Sequence, residues 1–412
     1  MTEKAIQCSK MFDSANEQVL EDVIIFVKDN RITDVQPAAN VTALDNYEVI
    51  DLTGKFVTPG LIDCHVHLAG NGQGSTLGIR PYMSVGEAAI HALTHAQADL
   101  MAGFTTLRSC GDLGYCDVAV RDSINKGEHW GPRLMVPGSN LSSTGGHADS
   151  HYNPYLLEMD NVRAGVAGDG PDEMRRLVRN NVKHGVDFIK FMATGGVMSL
   201  GTEVGAQQMT YDECCAIVET AEMYGMITAT HAHGTNGIKT AARAGVTSVE
   251  HGMMLDEECI EIMKAKGTTL VPTIIAAERI VAMGSKIGTP QWAIDKATTV
   301  LSHHKWGFNR CLEEGIPIAF GTDASTPYNF HGKQGYEFEL LVSFGMTPLQ
   351  ALTAATRTAS RLLRKDGEIG CIQKGKLADI VAFADDPREN IQTMCDCQFV
   401  MKDGKVYKRA NA

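Results

Sequence analysis

The order of strand-like and helix-like segments predicts an α/β protein: a (β/α)8 TIM barrel with a small β-sandwich built from both chain ends. Three observations carry this prediction. Eight short apolar runs alternate with helical periodicity through the middle of the chain, glycines follow several of the helices, and both ends carry hairpin patterns. An open doubly wound sheet is the structural alternative for the middle segment.

The two ends of the chain resemble each other more than either resembles the middle. Segment 23–35 contains two apolar runs around an Asp-Asn turn, and segment 399–408 contains a hairpin pattern with Asp-Gly at its turn. We therefore predict that residues 1–56 and 370–412 form the β-sandwich domain, and that residues 57–369 form the barrel.

The middle of the chain supplies one strand and one helix for most barrel units. The predicted strands are 61–67, 105–109, 133–137, 187–192, 227–231, 248–251, 269–272 and 317–323. The predicted helices are 85–101, 172–184, 211–224, 236–244, 256–266, 296–314 and 348–363. Glycine just past a helix end, as at Gly103, Gly185 and Gly267, indicates a left-handed C-terminal cap.

Composition restricts the class of function. The chain has 412 residues, with 37 Lys and Arg against 49 Asp and Glu, for a net charge of −12. This acidic balance argues against a nucleic-acid partner and against docking on anionic membranes. No apolar run reaches the ~18 residues of a membrane span. The 11 cysteines are odd in number and no signal-peptide pattern is visible, so we expect reduced thiols and a cytoplasmic location.

Metal-binding side chains recur at the predicted strand ends. Residues two apart on a strand face the same side, so one strand can direct both His65 and His67 to one point. A single His-x-His pair arises easily by chance. Together with His231, His251 and Asp323 at other strand ends, the pair predicts a metal centre, because zinc takes imidazole and carboxylate ligands together.

Lys190 lies near the end of the fourth predicted strand, 187–192. Two interpretations of this lysine are open. An ammonium group beside dications is repelled by them, which favours a neutral amine that can react with carbon dioxide to form a carbamate. Such a carbamate is an anion able to bridge two metals. The alternative is a lysine that is ion-paired or that reaches solvent along its aliphatic stem.

Five motifs in order, VTPGLIDCHVHL, DFIKFMATGG, ATHAHG, SVEHG and AFGTDA, resemble the amidohydrolase superfamily. More narrowly, the chain resembles the binuclear branch with a carbamylated lysine, and within it the prolidase-like dipeptidases that cleave Xaa-Pro or Xaa-Arg/Lys and the ochratoxin-type amidases. Imidazolonepropionase is a more distant relative. The resemblance covers about residues 57 to 370, and the flanking strands are similar to the small β-sandwich of that family.

The resemblance implies a role for each motif residue. His65, His67 and Asp323 would hold one metal, His231 and His251 the second, and carbamylated Lys190 would bridge two divalent ions, with zinc as the default. A metal-bridging hydroxide would attack the carbonyl. Asp323 would then accept the proton and pass it to the leaving amine.

The residues expected to contact substrate are less sharply defined. The resemblance implies that His147 polarises the substrate carbonyl, with a solvated loop histidine as its alternative. His233 is either a substrate contact or a support for its neighbours, and it rivals His231 as a ligand. The remaining candidates are the backbone amides of Gly195 and Gly196, His331 at the rim, and Arg108, for which a structural ion pair is an equal alternative.

These features favour an enzyme that cleaves an amide or peptide bond. We expect a dipeptidase of the prolidase type, or an enzyme releasing a C-terminal amino acid from dipeptides or N-acyl amino acids. The alternatives are hydrolysis of a cyclic amide, lactone or phosphoester, deamination on the same metal site, or a non-catalytic homologue. The expected partner is a small-molecule substrate, and a homo-oligomer follows from the resemblance alone.

Overall fold

The structure is a computed structural model that describes residues 3–73, 83–149 and 165–409. Two compact units are distinguished. The first comprises Met1–Asp63, Gln97–Thr106 and Gly332–Ala412, and the second comprises Cys64–Ala96 and Leu107–His331. Among the described residues, no helix combines the length and apolarity needed to cross a membrane.

The described elements alternate in the order that the sequence predicts. The strands are β1 (Glu3–Asp13), β2 (Gln18–Lys28), β3 (Arg31–Pro37), β4 (Tyr47–Pro59), β5 (Leu61–Val66), β6 (Phe104–Ser109), β7 (Arg133–Met135), β8 (Asn140–Ser142), β9 (Gly165–Ala167), β10 (Ile189–Met192), β11 (Thr228–Ala232), β12 (Ser248–His251), β13 (Thr269–Val271), β14 (Ile380–Phe383), β15 (Cys397–Lys402) and β16 (Lys405–Lys408). The α-helices are α1 (Val85–Met101), α2 (Cys116–Asn125), α3 (Pro171–Lys183), α4 (Tyr211–Glu222), α5 (Thr235–Arg243), α6 (Glu257–Lys266), α7 (Ile274–Met283), α8 (Gln291–Glu313), α9 (Tyr336–Phe344), α10 (Pro348–Thr353) and α11 (Ala359–Leu362).

The first unit contains a seven-stranded sheet in the order β16-β15-β14-β4-β1-β2-β3. Strand β4 joins the two chain ends, because it pairs in parallel with β1 and antiparallel with β14. Strand β2 buries Val23, Ile25 and Val27 on one face and Ile24 and Phe26 on the other. Burial of both faces explains why the strand is a continuous apolar run. The prediction of a β-rich region from both ends is confirmed.

The second unit contains most of the parallel barrel. Its sheets have the orders β13-β12-β11-β10-β8-β9 and β5-β6-β7. Strands β5 and β6 begin in the first unit and end in the second. Beyond the end of β7, Val136 accepts a hydrogen bond from the backbone amide of Asp187 at 2.8 Å, just before β10. The third predicted strand, 133–137, is therefore represented by the shorter β7, and β8 is a separate strand that the sequence analysis does not predict.

The eighth predicted strand, 317–323, closes the barrel without forming a regular strand. Isolated bridges join Ile318 to Leu270 of β13 and Ala324 to Val66 of β5. A Cβ atom at Gly321 would lie 2.4 Å from Cγ1 of Val271, so only glycine fits at this position. Backbone hydrogen bonds still tie the segment to both neighbours, from Ala319 to Leu270 and from Cys64 to Phe320, each at 2.9 Å.

The sequence analysis does not predict helices α2, α7 and α9, and two of the predicted helices differ in their bounds. Helix α8 begins five residues earlier than the predicted 296–314 helix, and the predicted 348–363 helix is divided by a π-helical stretch, Ala354–Thr358. The glycines expected to end helices have positive φ, including 71° at Gly267, as a left-handed cap requires.

Candidate metal centre

The carboxyl ends of the barrel strands bring the predicted side chains together. Strand β5 carries His65, β10 carries Lys190, β11 carries His231 and β12 ends at His251. Asp323 is the last residue of the closing segment 317–323, and its backbone amide donates to the carbonyl of His65 at 2.7 Å. Parallel strands place their carboxyl ends at one rim, which explains how residues far apart in sequence meet here.

His65, His67 and Asp323 form the first cluster. Oδ1 of Asp323 lies 3.3 Å from Nε2 of His67 and 3.5 Å from Nε2 of His65. The other ring nitrogens are held from behind: Nδ1 of His67 lies 2.7 Å from the carbonyl of Gly111, and Nδ1 of His65 lies 2.7 Å from Oε2 of Glu250. Both imidazoles therefore direct Nε2 toward the same carboxylate.

His231, His233 and His251 form the second cluster, with one nitrogen of each ring within 4.8 Å of the others. Nδ1 of His251 lies 2.7 Å from Oγ1 of Thr273, which fixes that ring. Within the described part of the chain, Nε2 of His231 and Nδ1 of His233 are buried and have no hydrogen-bond partner. Buried ring nitrogens are normally satisfied, so these two atoms fit a metal ligand set.

Electrostatics keep these imidazoles neutral. Burial, followed by the charges of neighbouring imidazoles, lowers the pKa of His231 and His251 well below 6.5. Burial and then the charge of Lys190 lower the pKa of His65 to about 4. Neutral imidazole is the form that binds a metal, so the site is prepared for ligation without loss of a proton.

Lys190 is buried and acts electrostatically on both clusters. Its side chain is 1% exposed, and its charge lowers the pKa of His65 in the first cluster and of His231 and His251 in the second. The bridging role of Lys190 stays a prediction.

A buried ion pair between Arg108 and Glu250 supports the first cluster through the contact of Glu250 with His65. Arg108 donates from Nη2 to Oε1 of Glu250 at 2.7 Å, from Nη1 to Oγ of Ser248 at 3.0 Å and from Nε to the carbonyl of Cys64. Burial alone would raise the pKa of Glu250, but Arg108 and His65 more than offset it and hold it at about 2. Arg108 thus occupies the structural ion pair and does not face substrate.

Sequence reasoning gave Glu250 no role. The residue stands beside His251 on β12, and its function depends on His65, 185 positions away in sequence. A carboxylate inside a barrel strand is the signal that could have revealed it, since such a charge needs a buried partner.

His147 lies against the second cluster. Its ring stacks on that of His231 with centroids 4.1 Å apart, and its Nδ1 lies 3.0 Å from Oγ of Ser199. A Cβ atom at Gly196 would lie 2.2 Å from Cε1 of His147, so the ring fills the space that glycine leaves. His147 is therefore a site residue by position.

The expectation for the Gly195–Gly196 amides is corrected by the structure. The amide of Gly195 donates to the carbonyl of Ala206 at 2.9 Å, and the amide of Gly196 approaches Oγ of Ser199 at 3.4 Å. Both groups serve the turn itself. The contribution of Gly196 is to make room for His147.

His331 acts on the backbone beside the first cluster. Its Nε2 donates to the carbonyl of His67 at 3.2 Å, and its ring stacks on His95 with centroids 4.6 Å apart. Nδ1 of His95 donates in turn to the carbonyl of Leu68 at 2.7 Å. The two rings hold the chain where it leaves β5.

Residues 56–408 match the amidohydrolase family. The chain belongs to the amidohydrolase family. An ochratoxinase from Aspergillus niger is 33% identical over 373 residues, which cover 85% of this chain and 75% of that protein. A solved structure of a Xaa-Pro dipeptidase with bound methionine in the active site has 36% identity and a TM-score of 0.91, covering 99% of this chain and 100% of that one. A solved prolidase in complex with N-methylphosphonate-L-proline has 30% identity, a TM-score of 0.90 and the same coverage.

Amidohydrolases generally use divalent metal ions, and both clusters described above are suited to them. Family membership and these relatives make the protein a hydrolase that acts on amide bonds. The predicted (β/α)8 barrel with a β-rich region from the chain ends is likewise confirmed by these structural matches.

Proposed function

We propose that this protein is a binuclear metal-dependent dipeptidase that releases a C-terminal amino acid, with Xaa-Pro dipeptides as the first substrate class. The observation that carries the proposal is the pair of metal-competent clusters at the barrel rim, with Lys190 buried and acting electrostatically on both. The likeness to solved proteins described as a Xaa-Pro dipeptidase and a prolidase supports the choice of substrate.

The ligand sets follow from the two clusters. His65, His67 and Asp323 would hold one ion, and His231 and His251 the other, with His233 as a rival to His231. Lys190, carbamylated by carbon dioxide, would bridge the two, and zinc fits the mixture of imidazole and carboxylate. Two such ions, when bound, supply an activated water and polarise the scissile carbonyl.

Asp323 is the proton carrier in this proposal. Burial alone would raise the pKa of its carboxyl, but His65 and His67 hold it below its ordinary value. An ionised carboxylate at this position accepts the proton of the attacking water. Because Asp323 lies at the rim, it then returns that proton to the leaving amine nitrogen, which must be protonated before the C–N bond breaks.

His147 orients the substrate carbonyl. The ring stacks on His231 and its Nδ1 contacts Ser199, so Nε2 is the ring nitrogen that would contact a substrate. A donor held in place before the reaction stabilises the negative charge that develops on the carbonyl oxygen. His233 remains either a ligand or a second substrate contact.

The test is amino-acid release from an Xaa-Xaa dipeptide library by zinc-loaded protein prepared with bicarbonate. We expect release to concentrate on dipeptides with C-terminal proline. Release of another C-terminal residue would still support a dipeptidase, but with a different leaving-group amino acid.

A parallel panel of N-acetyl and N-formyl amino acids tests the second substrate class, N-acyl amino acids. The likeness to an ochratoxinase supports including amides other than dipeptides. Silence on both panels, with metal bound, would overturn the dipeptidase proposal and favour cyclic amides, lactones or deamination.

A further inference from the structure

A chain of polar contacts extends from helix α8 to His147. Nζ of Lys296 donates to the carbonyl of Ser199 at 2.8 Å and to the carbonyl of Thr202 at 2.5 Å. Oγ1 of Thr202 lies 2.8 Å from Oγ of Ser199, which lies 3.0 Å from Nδ1 of His147. Lys296 therefore clamps the turn that carries the two hydroxyls.

The distances to the alternative acceptors favour one direction for these hydrogen bonds. The hydroxyl of Thr202 has two acceptors, Oγ of Ser199 at 2.8 Å and the carbonyl of Ser199 at 3.5 Å. The shorter of these two distances favours donation by Thr202 to the hydroxyl oxygen of Ser199. With Thr202 as donor, the nearest acceptor left for the hydroxyl of Ser199 is Nδ1 of His147 at 3.0 Å, closer than the carbonyl of Gly196 at 3.3 Å.

We propose that Ser199, supported by Thr202 and Lys296, holds His147 in the tautomer that carries its proton on Nε2. A neutral imidazole that accepts at Nδ1 must be protonated at Nε2, and its Nε2 is then a donor. Ser199 is thus a positioning residue that acts through His147. This inference deepens the proposed function and rests on it.

Three further contacts keep the ring in the orientation that this requires. The backbone amide of His147 donates to Oε1 of Gln208 at 2.9 Å, the ring stacks on His231, and Gly196 admits the ring where a Cβ would clash. With the ring plane fixed, the hydroxyl of Ser199 sets only the position of the proton. A donor at Nε2 stabilises a carbonyl oxygen as it becomes negative, whereas a lone pair there would repel it.

The direct test needs no substrate. Long-range 1H–15N correlation spectra of zinc-loaded protein with 15N-labelled histidine rings report the tautomer, and the His147→Gln variant identifies the signal of His147. We expect the proton on Nε2 in the wild type and a mixture of tautomers in Ser199→Ala. A proton on Nδ1 in the wild type, or an unchanged His147 signal in Ser199→Ala, would overturn the proposal even if no dipeptide is cleaved.

The kinetic test uses Met-Pro with the same zinc-loaded protein. Loss of one orienting hydrogen bond should lower kcat by about tenfold with little change in KM. Thr202→Val, which leaves Ser199 in place, should give a smaller fall, and Ser199→Thr should restore kcat because it keeps the hydroxyl. Ser123→Ala is the matched control, because it removes an exposed hydroxyl 2.7 Å from Nδ1 of His129.

A double-mutant cycle separates positioning from general destabilisation. In a His147→Gln background, Ser199→Ala should have no further effect on kcat, because the residue acts only through that ring. An independent tenfold fall in that background would contradict the proposal. If His147→Gln itself leaves kcat unchanged, the role of His147 in the proposed function fails instead, and the spectra still decide the tautomer.

Discussion

At the scale of single residues, the site depends on side chains that hold other side chains. His65 is fixed by Glu250, and Glu250 is paired with Arg108 in a wholly buried position. The strand-end position alone predicted His65, His67 and Asp323. It could not predict Glu250 or Ser199, because each acts through a contact with a residue distant in sequence. Sequence alone therefore predicts the reactive groups better than their supports.

Replacing Glu250 by Gln should destabilise the fold strongly. The change leaves the buried guanidinium of Arg108 without its counter-charge, and breaking a buried pair costs about 3–5 kcal/mol. Urea unfolding measures the loss. Glu258→Gln is the control, because its exposed pairs with Lys239 and Arg243 should contribute less than about 1 kcal/mol. Equal, small losses in both variants would show that the buried pair is not a stabilising contact.

At the scale of elements, the alternation of strands and helices was predictable and the closure of the barrel was less so. Apolar runs predicted the positions of β10, β11 and β12 closely, since each is a short buried strand between two helices. The 317–323 segment has the same apolar pattern but forms only isolated bridges. The close approach of Gly321 to Val271 of β13 is likewise a tertiary contact that no local pattern reveals.

Replacing Gly321 by Ala should weaken this closure. The added Cβ would lie 2.4 Å from Cγ1 of Val271 and 3.1 Å from Cβ of His65, and overpacking of this kind costs about 1–3 kcal/mol. Thermal unfolding monitored by circular dichroism measures the effect. The control is Gly86→Ala at the start of α1, where nothing lies within 4 Å. A variant at Gly321 as stable as this control would contradict the close approach.

At the scale of the whole molecule, the structure combines a rim of titratable groups with acids buried elsewhere in the barrel unit. The net acidic charge, which argued against a nucleic-acid partner, does not reveal which carboxyl groups are buried. The effect of buried carboxyl groups on stability therefore could not be predicted from the sequence. The homo-oligomer, the cytoplasmic location and the domain boundaries at residues 57 and 370 stay predictions.

Stability should fall as the pH rises through neutrality because of Asp117 in α2. Burial first, and then the nearby carboxylate of Asp112, raise the pKa of Asp117 from 3.8 to about 7. The folded state therefore holds this proton more tightly than the unfolded state. The resulting cost is absent below pH 4, grows through pH 7 and reaches about 4 kcal/mol above it.

Asp117→Asn should remove this dependence, since the amide oxygen can still accept from the backbone N–H of Val118. Between pH 5 and pH 8 the variant should gain about 2–3 kcal/mol relative to the wild type in urea unfolding with EDTA. Asp172→Asn, at a fully exposed side chain, is the control and should show no such gain. Parallel curves for wild type and Asp117→Asn would refute the assignment.

The central claim is that Lys190 joins two metal sites at the barrel rim, and zinc content measured by mass spectrometry tests it most directly. Protein loaded with zinc in bicarbonate should hold about two ions per chain, and Lys190→Ala should hold one or fewer and lose turnover. Lys183→Ala is the control, because Lys183 ends helix α3, which precedes strand β10 in the chain. This variant should match the wild type. A Lys190→Ala variant that keeps two ions and full turnover would contradict the account.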